Sequence, residues 1–126
     1  MSMTANFLKI KSLFLSLLLV MFGSHARASD IYIGDLTISK IRAVGEYYSP
    51  TFSNTIEIWF SSPLIFPSGA RCAPNSYRVH VDIKHKHIIT SAYLAFATGK
   101  KININIDDQL PIRGGGCELS YLDILN

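Results

Sequence analysis

The spacing of apolar positions along residues 36–125 follows a two-residue repeat, switches once to a helical repeat, and switches back. Leu36 and Ile38 are apolar and Thr37 and Ser39 polar, so Leu36–Tyr48 reads as a first strand. Its alternation slips a phase at Ile41, which predicts a bulge. Ser49–Asn54 (SPTFSN) is turn chemistry, and Thr55–Ser61 is a second strand with Ile56, Ile58 and Phe60 on one face. Ser62–Ser76 carries Pro63, Pro67, Pro74 and Gly69 and reads as a loop. Tyr77–Ile83 alternates cleanly, with Tyr77, Val79, Val81 and Ile83 on one face and Arg78, His80 and Asp82 on the other. The period then lengthens. Ile88–Ala97 predicts a helix whose stripe is Ile88, Ala92 and Phe96, with Ile89 and Tyr93 beside it, and Gly99 is its left-handed stop. Lys101–Asp107 (KININID) is a fourth strand with Ile102, Ile104 and Ile106 inward. Leu110–Gly116 is a loop, and Cys117 opens a last strand, Glu118–Leu125.

The resulting order, β-β-β-α-β-β, is that of a five-stranded Greek-key barrel with one helix, the OB-fold. A five-strand sheet plus a helix in another α+β topology is the alternative. Ser29–Gly34 reads as a mobile lead-in to this single domain, residues 29–126.

The first 28 residues are expected to stand apart. Lys9 and Lys11 precede a ten-residue apolar run, Leu13–Phe22, and Ala26-x-Ala28 fits the small-residue cleavage rule of an export signal. The run is too short to span a bilayer of about 30 Å, so no stable membrane insertion is expected. The chain is therefore expected to be secreted or periplasmic, from a bacterium of the Gram-negative type. Three of the 12 Lys and Arg residues (Lys9, Lys11, Arg27) lie in the signal and none of the 9 acids does, so the remaining domain carries 9 of each and no net charge. A neutral domain lacks the basic footprint that nucleic-acid binding needs. In an oxidising compartment the only two cysteines, Cys72 and Cys117, leave one intramolecular pairing, a disulfide that pins the proline-rich loop.

Catalytic chemistry is not written in this sequence. No GxSxG elbow, HExxH, Walker loop or dinucleotide glycine fingerprint occurs, and no cofactor is implied. His85 and His87 in Lys84-His85-Lys86-His87, with His80 nearby, invite a metal reading. Two flanking lysines and the absence of a completing acid or cysteine favour a solvated basic approach to the helix instead. Gly114-Gly115-Gly116 is followed by a strand rather than a helix, so it reads as backbone flexibility ahead of the disulfide and not as a phosphate cradle. Trp59 falls on the outward side of the second strand beside Glu57, with Tyr47, Tyr48 and Phe52 just before it. Tyr47, Tyr48 and Trp59 are the candidates for sugar stacking or a subunit interface, the alternative being that Trp59 covers a hydrophobic flank of its own barrel.

The run Thr90–Ile104 (TSAYLAFATGKKINI), the early Ile38-x-x-Ile41-Arg42 segment, a cysteine before the third strand and another before the fifth together resemble a known group. This group is the small exported OB-fold proteins related to AB-type toxin B subunits, in particular the binding subunits of subtilase cytotoxin and pertussis-like toxins. The likeness covers nearly all of residues 36–125, and its motifs are structural. It implies a non-enzymatic ring-forming subunit, a homopentamer, that binds host-cell glycans, often sialylated, beside a toxin A chain. Glycan-contacting residues in that group lie in variable loops, and none is carried over to this chain. The alternative is a monomeric periplasmic binding or inhibitor protein with no toxin role.

Overall fold

The computed structural model describes residues 30–126, so the predicted export signal lies outside the described residues. Six strands and one helix follow one another: β1 Asp30–Leu36, β2 Ile38–Val44, β3 Thr55–Phe60, β4 Arg78–Asp82, α1 Lys86–Thr98, β5 Ile102–Asp107 and β6 Cys117–Ile124. The strands form one mixed sheet in the order β1-β5-β6-β4-β3-β2. All pairs are antiparallel except β4 with β6, which run parallel and meet only at Val79–Cys117 and His80–Glu118. Among the described residues the fold is mainly β with a single helix, as the hydrophobic pattern predicts, but with six strands rather than five.

The sixth strand is β1, where a mobile lead-in was expected. Ile31 and Ile33 sit opposite Ile106 and Ile104 of β5, so the segment is ordered by a partner more than 70 residues away. A single residue, Thr37, separates β1 from β2, yet the two lie at opposite edges of the sheet. The Thr37 carbonyl accepts a hydrogen bond from the Ser61 N–H at 3.0 Å, which fixes the corner. The expected bulge falls between Ile38 and Lys40, where the β2–β3 register shifts. β2 ends at Val44, short of Tyr48, because Gly45–Ser49 turns away.

The core is isoleucine-rich. Ile56 and Ile58 of β3, Val79 and Val81 of β4, Ile102, Ile104 and Ile106 of β5 and Leu119 of β6 are all buried, as is Leu64 from the long loop. Helix α1 packs against β2 and β6 through Ile88, Ala92 and Ala95. The predicted stripe needed Phe96 there, but the small Ala95 takes the place and lets the helix lie close, leaving Phe96 exposed. Tyr77 and Ile83, expected inward, are also exposed, because β4 is only five residues long and both fall beyond its ends. The helix ends as the sequence predicts. Gly99 has φ 67°, its N–H reaches Phe96 O, and the Lys100 N–H reaches Ala95 O, a Schellman pair that satisfies two end carbonyls. Cys72 and Cys117 are joined, with their Cα atoms 5.5 Å apart. No helix among the described residues is long and apolar enough to cross a membrane.

Candidate functional site

Three strands bring the site together on the outward side of the sheet. Lys40 of β2, Trp59 of β3 and Arg78 of β4 are neighbours in one row, and Arg42, Glu57 and His80 form the next. Strand alternation puts all six side chains on the face opposite Ile56 and Ile58. Trp59 is thus outward, as predicted, and is only partly covered.

Three cations surround its ring. Lys40 Nζ lies 4.0 Å from the ring centroid, and the guanidinium carbons of Arg78 and Arg42 lie 5.3 Å and 5.8 Å away. One carboxylate balances them. Glu57, only 2% exposed, accepts from Arg42 Nη1 at 2.9 Å and from Arg78 Nη1 at 3.2 Å. The patch therefore keeps an excess of positive charge on a domain that is neutral by count. Arg78 is held further by donating Nη2 to the Gly114 carbonyl at 2.9 Å and by lying 5.5 Å over Phe52. Trp59 Nε1 is buried and has no hydrogen-bond partner.

Arg42 also joins this patch to a second aromatic. It lines a hollow of about 280 Å³ together with Ala43, Val44, Gly45 and Tyr48. Of the three sequence candidates, Trp59 and Tyr48 are thus linked through Arg42. Tyr47, 95% exposed, takes no part in the hollow. Lys40, Arg42 and Arg78 were missed as site residues. Lys40 and Arg42 do share a two-residue spacing with outward polarity, but only the strand pairing places them at Trp59.

Beside the basic patch, on the same face of the sheet, lies a buried polar cluster that the alternation predicted to be outward. His80 is fully buried, Glu118 is opposite it on β6, and the Arg113–Gly116 strap covers both. The three glycines are present for close approach rather than for flexibility. A Cβ at Gly114 would stand 2.6 Å from Phe52, at Gly115 2.9 Å from Ala73, and at Gly116 2.6 Å from His80 Nε2. Arg113 faces Asp82 at 3.7 Å and Glu118 at 3.9 Å and donates to the Thr51 carbonyl at 3.0 Å. Burial pushes the Glu118 carboxyl above its ordinary range, against the Asp82 N–H that it accepts at 2.7 Å. His85 and His87 are apart from this cluster, with ring centroids 6.3 Å from each other at the start of α1, which begins at Lys86. No group of three or more potential metal ligands occurs among the described residues.

Neither nitrogen of His80 makes a well-aligned hydrogen bond, and burial drives its pKa down to about 4, with Glu57 and the nearby Arg113 backbone opposing and Arg78 adding to the fall. The folded state holds a neutral imidazole that the unfolded chain protonates near 6.5. This contribution is complete above pH 6.5 and is lost as the pH falls toward 4. Glu118, shifted the other way, works against it in the lower part of that range. Between pH 7 and pH 5 the His80 contribution amounts to about 2 kcal/mol. Urea unfolding at both pH values should show the parent chain losing about that much more stability than His80→Phe. Equal losses in the two proteins would show that His80 is not the titrating group.

No protein-family model and no curated protein matches the sequence.

Proposed function

We propose that this chain is a non-enzymatic exported binding protein, B-subunit-like in design, whose Trp59 face recognises an acidic host-cell glycan. The observation that carries the reading is the triad of Lys40, Arg42 and Arg78 around one partly exposed indole, with the single carboxylate of Glu57 beneath. An indole face stacks on the apolar side of a sugar ring, and guanidinium groups pair with a carboxylate in a fixed fork. Tyr48, across the Arg42 hollow, extends the surface for a second sugar unit.

The finer fold reading belongs to the same proposal. β1 and β2 are the two halves of one bent first strand, turned at Thr37, and the sheet wraps as an OB barrel. The chain continuity between the two edge strands and the parallel β4–β6 pair support it. The outer side of α1 leaves Tyr93, Leu94 and Phe96 between 42% and 55% exposed, an apolar strip suited to burial in a homopentamer that would in turn carry a toxin A chain. Disulfide chemistry fits a periplasmic or secreted location. The second reading is a monomeric periplasmic binding or inhibitor protein. It draws support from Trp59 being packed by its own chain's cations.

Two measurements test this. Iodide should quench Trp59 fluorescence strongly and caesium weakly, since three cations draw the anion to the ring. Trp59→Ala and Arg42→Ala should each weaken binding of a glycan with a terminal carboxylate by at least ~10-fold, about 1.4 kcal/mol. Folded variants that bind every glycan as the parent does would remove the proposal. Light scattering on the oxidised protein should give a mass near five protomers, and a clean monomer would favour the second reading.

A further inference from the structure

The β1–β5–β6 half of the sheet presents a different surface. Tyr32, Asn105 and Tyr121 stand directly opposite one another on β1, β5 and β6. Strands are spaced by about 4.8 Å, so the two tyrosine Cα atoms lie roughly 10 Å apart with the asparagine between them. Both tyrosines are well exposed, at 59% and 42%. The Tyr32 ring lies along its own strand over Gly34, where an added Cβ would stand 3.5 Å from the ring and 3.1 Å from Asn103 Oδ1. The ring contact would be an ordinary one, and the tight approach at Gly34 is that of the Asn103 side chain.

Asn105 is the unusual member. It is 9% exposed, its Nδ2 donates to Asp30 Oδ1 at 3.3 Å, and its Oδ1 is buried with no donor. A buried amide oxygen left unpaired costs about 1–3 kcal/mol, so the row holds an acceptor in want of a donor. Carboxylates surround it. Asp30 pairs in register with Asp107, and Asp123 stands opposite Asn103 in the adjacent row. Lys101, just ahead of β5, is bound to Asp35 at 2.7 Å, Lys100 beside it reaches Asn126 Oδ1 at 3.4 Å, and Asp30, Asp107 and Asp123 make no ion pair among the described residues. This half of the sheet is acidic where the Trp59 half is basic.

We propose that the Tyr32–Asn105–Tyr121 row binds a small organic cation of the alkylammonium class. The methylenes lie on the tyrosine faces, the ammonium is attracted by their π electrons, and its N–H groups meet Asn105 Oδ1, Asp30 and Asp123. A neutral sugar fits less well. Its hydroxyls want donors as well as acceptors, whereas Asp30, Asp107 and Asp123 supply acceptors alone and one of the two Asn105 amide N–H groups is engaged by Asp30. The inference is independent of the glycan reading, since it uses none of the Trp59 residues.

The test is a titration of the oxidised, ¹⁵N-labelled protein with spermidine, followed by amide shifts. Saturable shifts at Tyr32, Asn105 and Tyr121 are expected, with a Kd on the order of 0.1–1 mM that rises with added salt. Tyr121→Ala and the pair Asp30→Asn, Asp123→Asn should each weaken it by at least ~10-fold, while Tyr121→Phe and Trp59→Ala should leave it unchanged. The proposal is overturned if no saturation appears by about 10 mM, well above that range. It is likewise overturned if magnesium chloride gives the same shifts at the same concentration, or if methyl glucoside displaces the peaks and spermidine does not.

Discussion

Replacing Cys72 and Cys117 together by serine should lower the stability of the domain by about 4 kcal/mol. The bond closes a loop with a sequence separation of 45, and the chain-entropy relation assigns such a loop that magnitude through the unfolded state. Both cysteines are buried, at 4% and 0% exposure, so two new hydroxyls in apolar surroundings add to the loss. Small domains have about 5–15 kcal/mol in all. The double variant should therefore be partly unfolded at 37 °C, and full reduction of the parent chain should lower its urea midpoint by most of the same amount, short of it by what the two hydroxyls add. A loss below about 1 kcal/mol would mean that the unfolded chain is already compact around this loop. The geometry around the bond also matters. Cys117 pairs with Val79 in the short parallel ladder, and the Ala73 N–H donates to the Gly115 carbonyl at 2.9 Å, so the loop and the strap are joined on both sides of it.

Glu57→Ala should cost about 3 kcal/mol. The carboxylate is buried and serves two guanidiniums at once, and breaking a buried ion pair from one side leaves charge without compensation, at about 3–5 kcal/mol. The lower figure applies because Arg42 is 48% exposed and water screens it, whereas Arg78 is 20% exposed and cannot withdraw as easily. Arg78 is also fixed by Gly114 and Phe52, so its charge would remain against the indole. Glu57→Gln keeps the shape and should lose roughly half as much, on the order of 1–2 kcal/mol. Chemical denaturation of the two variants beside the parent checks the order. If the alanine variant lost no more than about 1 kcal/mol, the pair would be behaving as a surface salt bridge. The same substitution separates stability from recognition. On the proposed reading, Glu57→Gln raises the positive potential at Trp59, so it should bind an acidic sugar at least as tightly as the parent chain does, even while it unfolds more easily.

Local periodicity located most of the elements because each strand interior is written in alternate apolar residues. Ile102, Ile104 and Ile106 are all inward, and Gly99 caps the helix for the conformational reason that the sequence displays. What stayed hidden depends on contacts between distant segments. Asp30–Leu36 has only a short alternation of its own, and its order comes from β5. The helix stripe was misplaced at Phe96 because periodicity ranks residues by apolarity, while close packing on β2 and β6 selected Ala95 by size. The same limit applies to the site. Trp59 was legible as outward, but the burial of Glu57, His80 and Glu118 was not. Strand alternation assigns a face, and whether a strap from residues 113–116 covers that face is decided by the fold of another segment.

The β4–β6 seam has a consequence for how the chain assembles. β2, β3 and β4 are successive neighbours in both sequence and sheet, and β5 with β6 forms a second local unit. Within the sheet the two units pair only across the two residue pairs of the parallel seam, between segments about 38 positions apart, while Thr37 links them along the chain. Closing that contact costs the entropy of the intervening helix and loop, so it is expected to form after the local pairings. The Cys72–Cys117 bond sits at this seam. A chain oxidised first begins its search with the two units already tethered, and a chain folding reduced must close the seam against the full entropy of the loop. Refolding with the Cys72–Cys117 bond intact is therefore expected to be faster than refolding of the reduced chain, a difference that the fluorescence of Trp59 in a stopped-flow experiment would read.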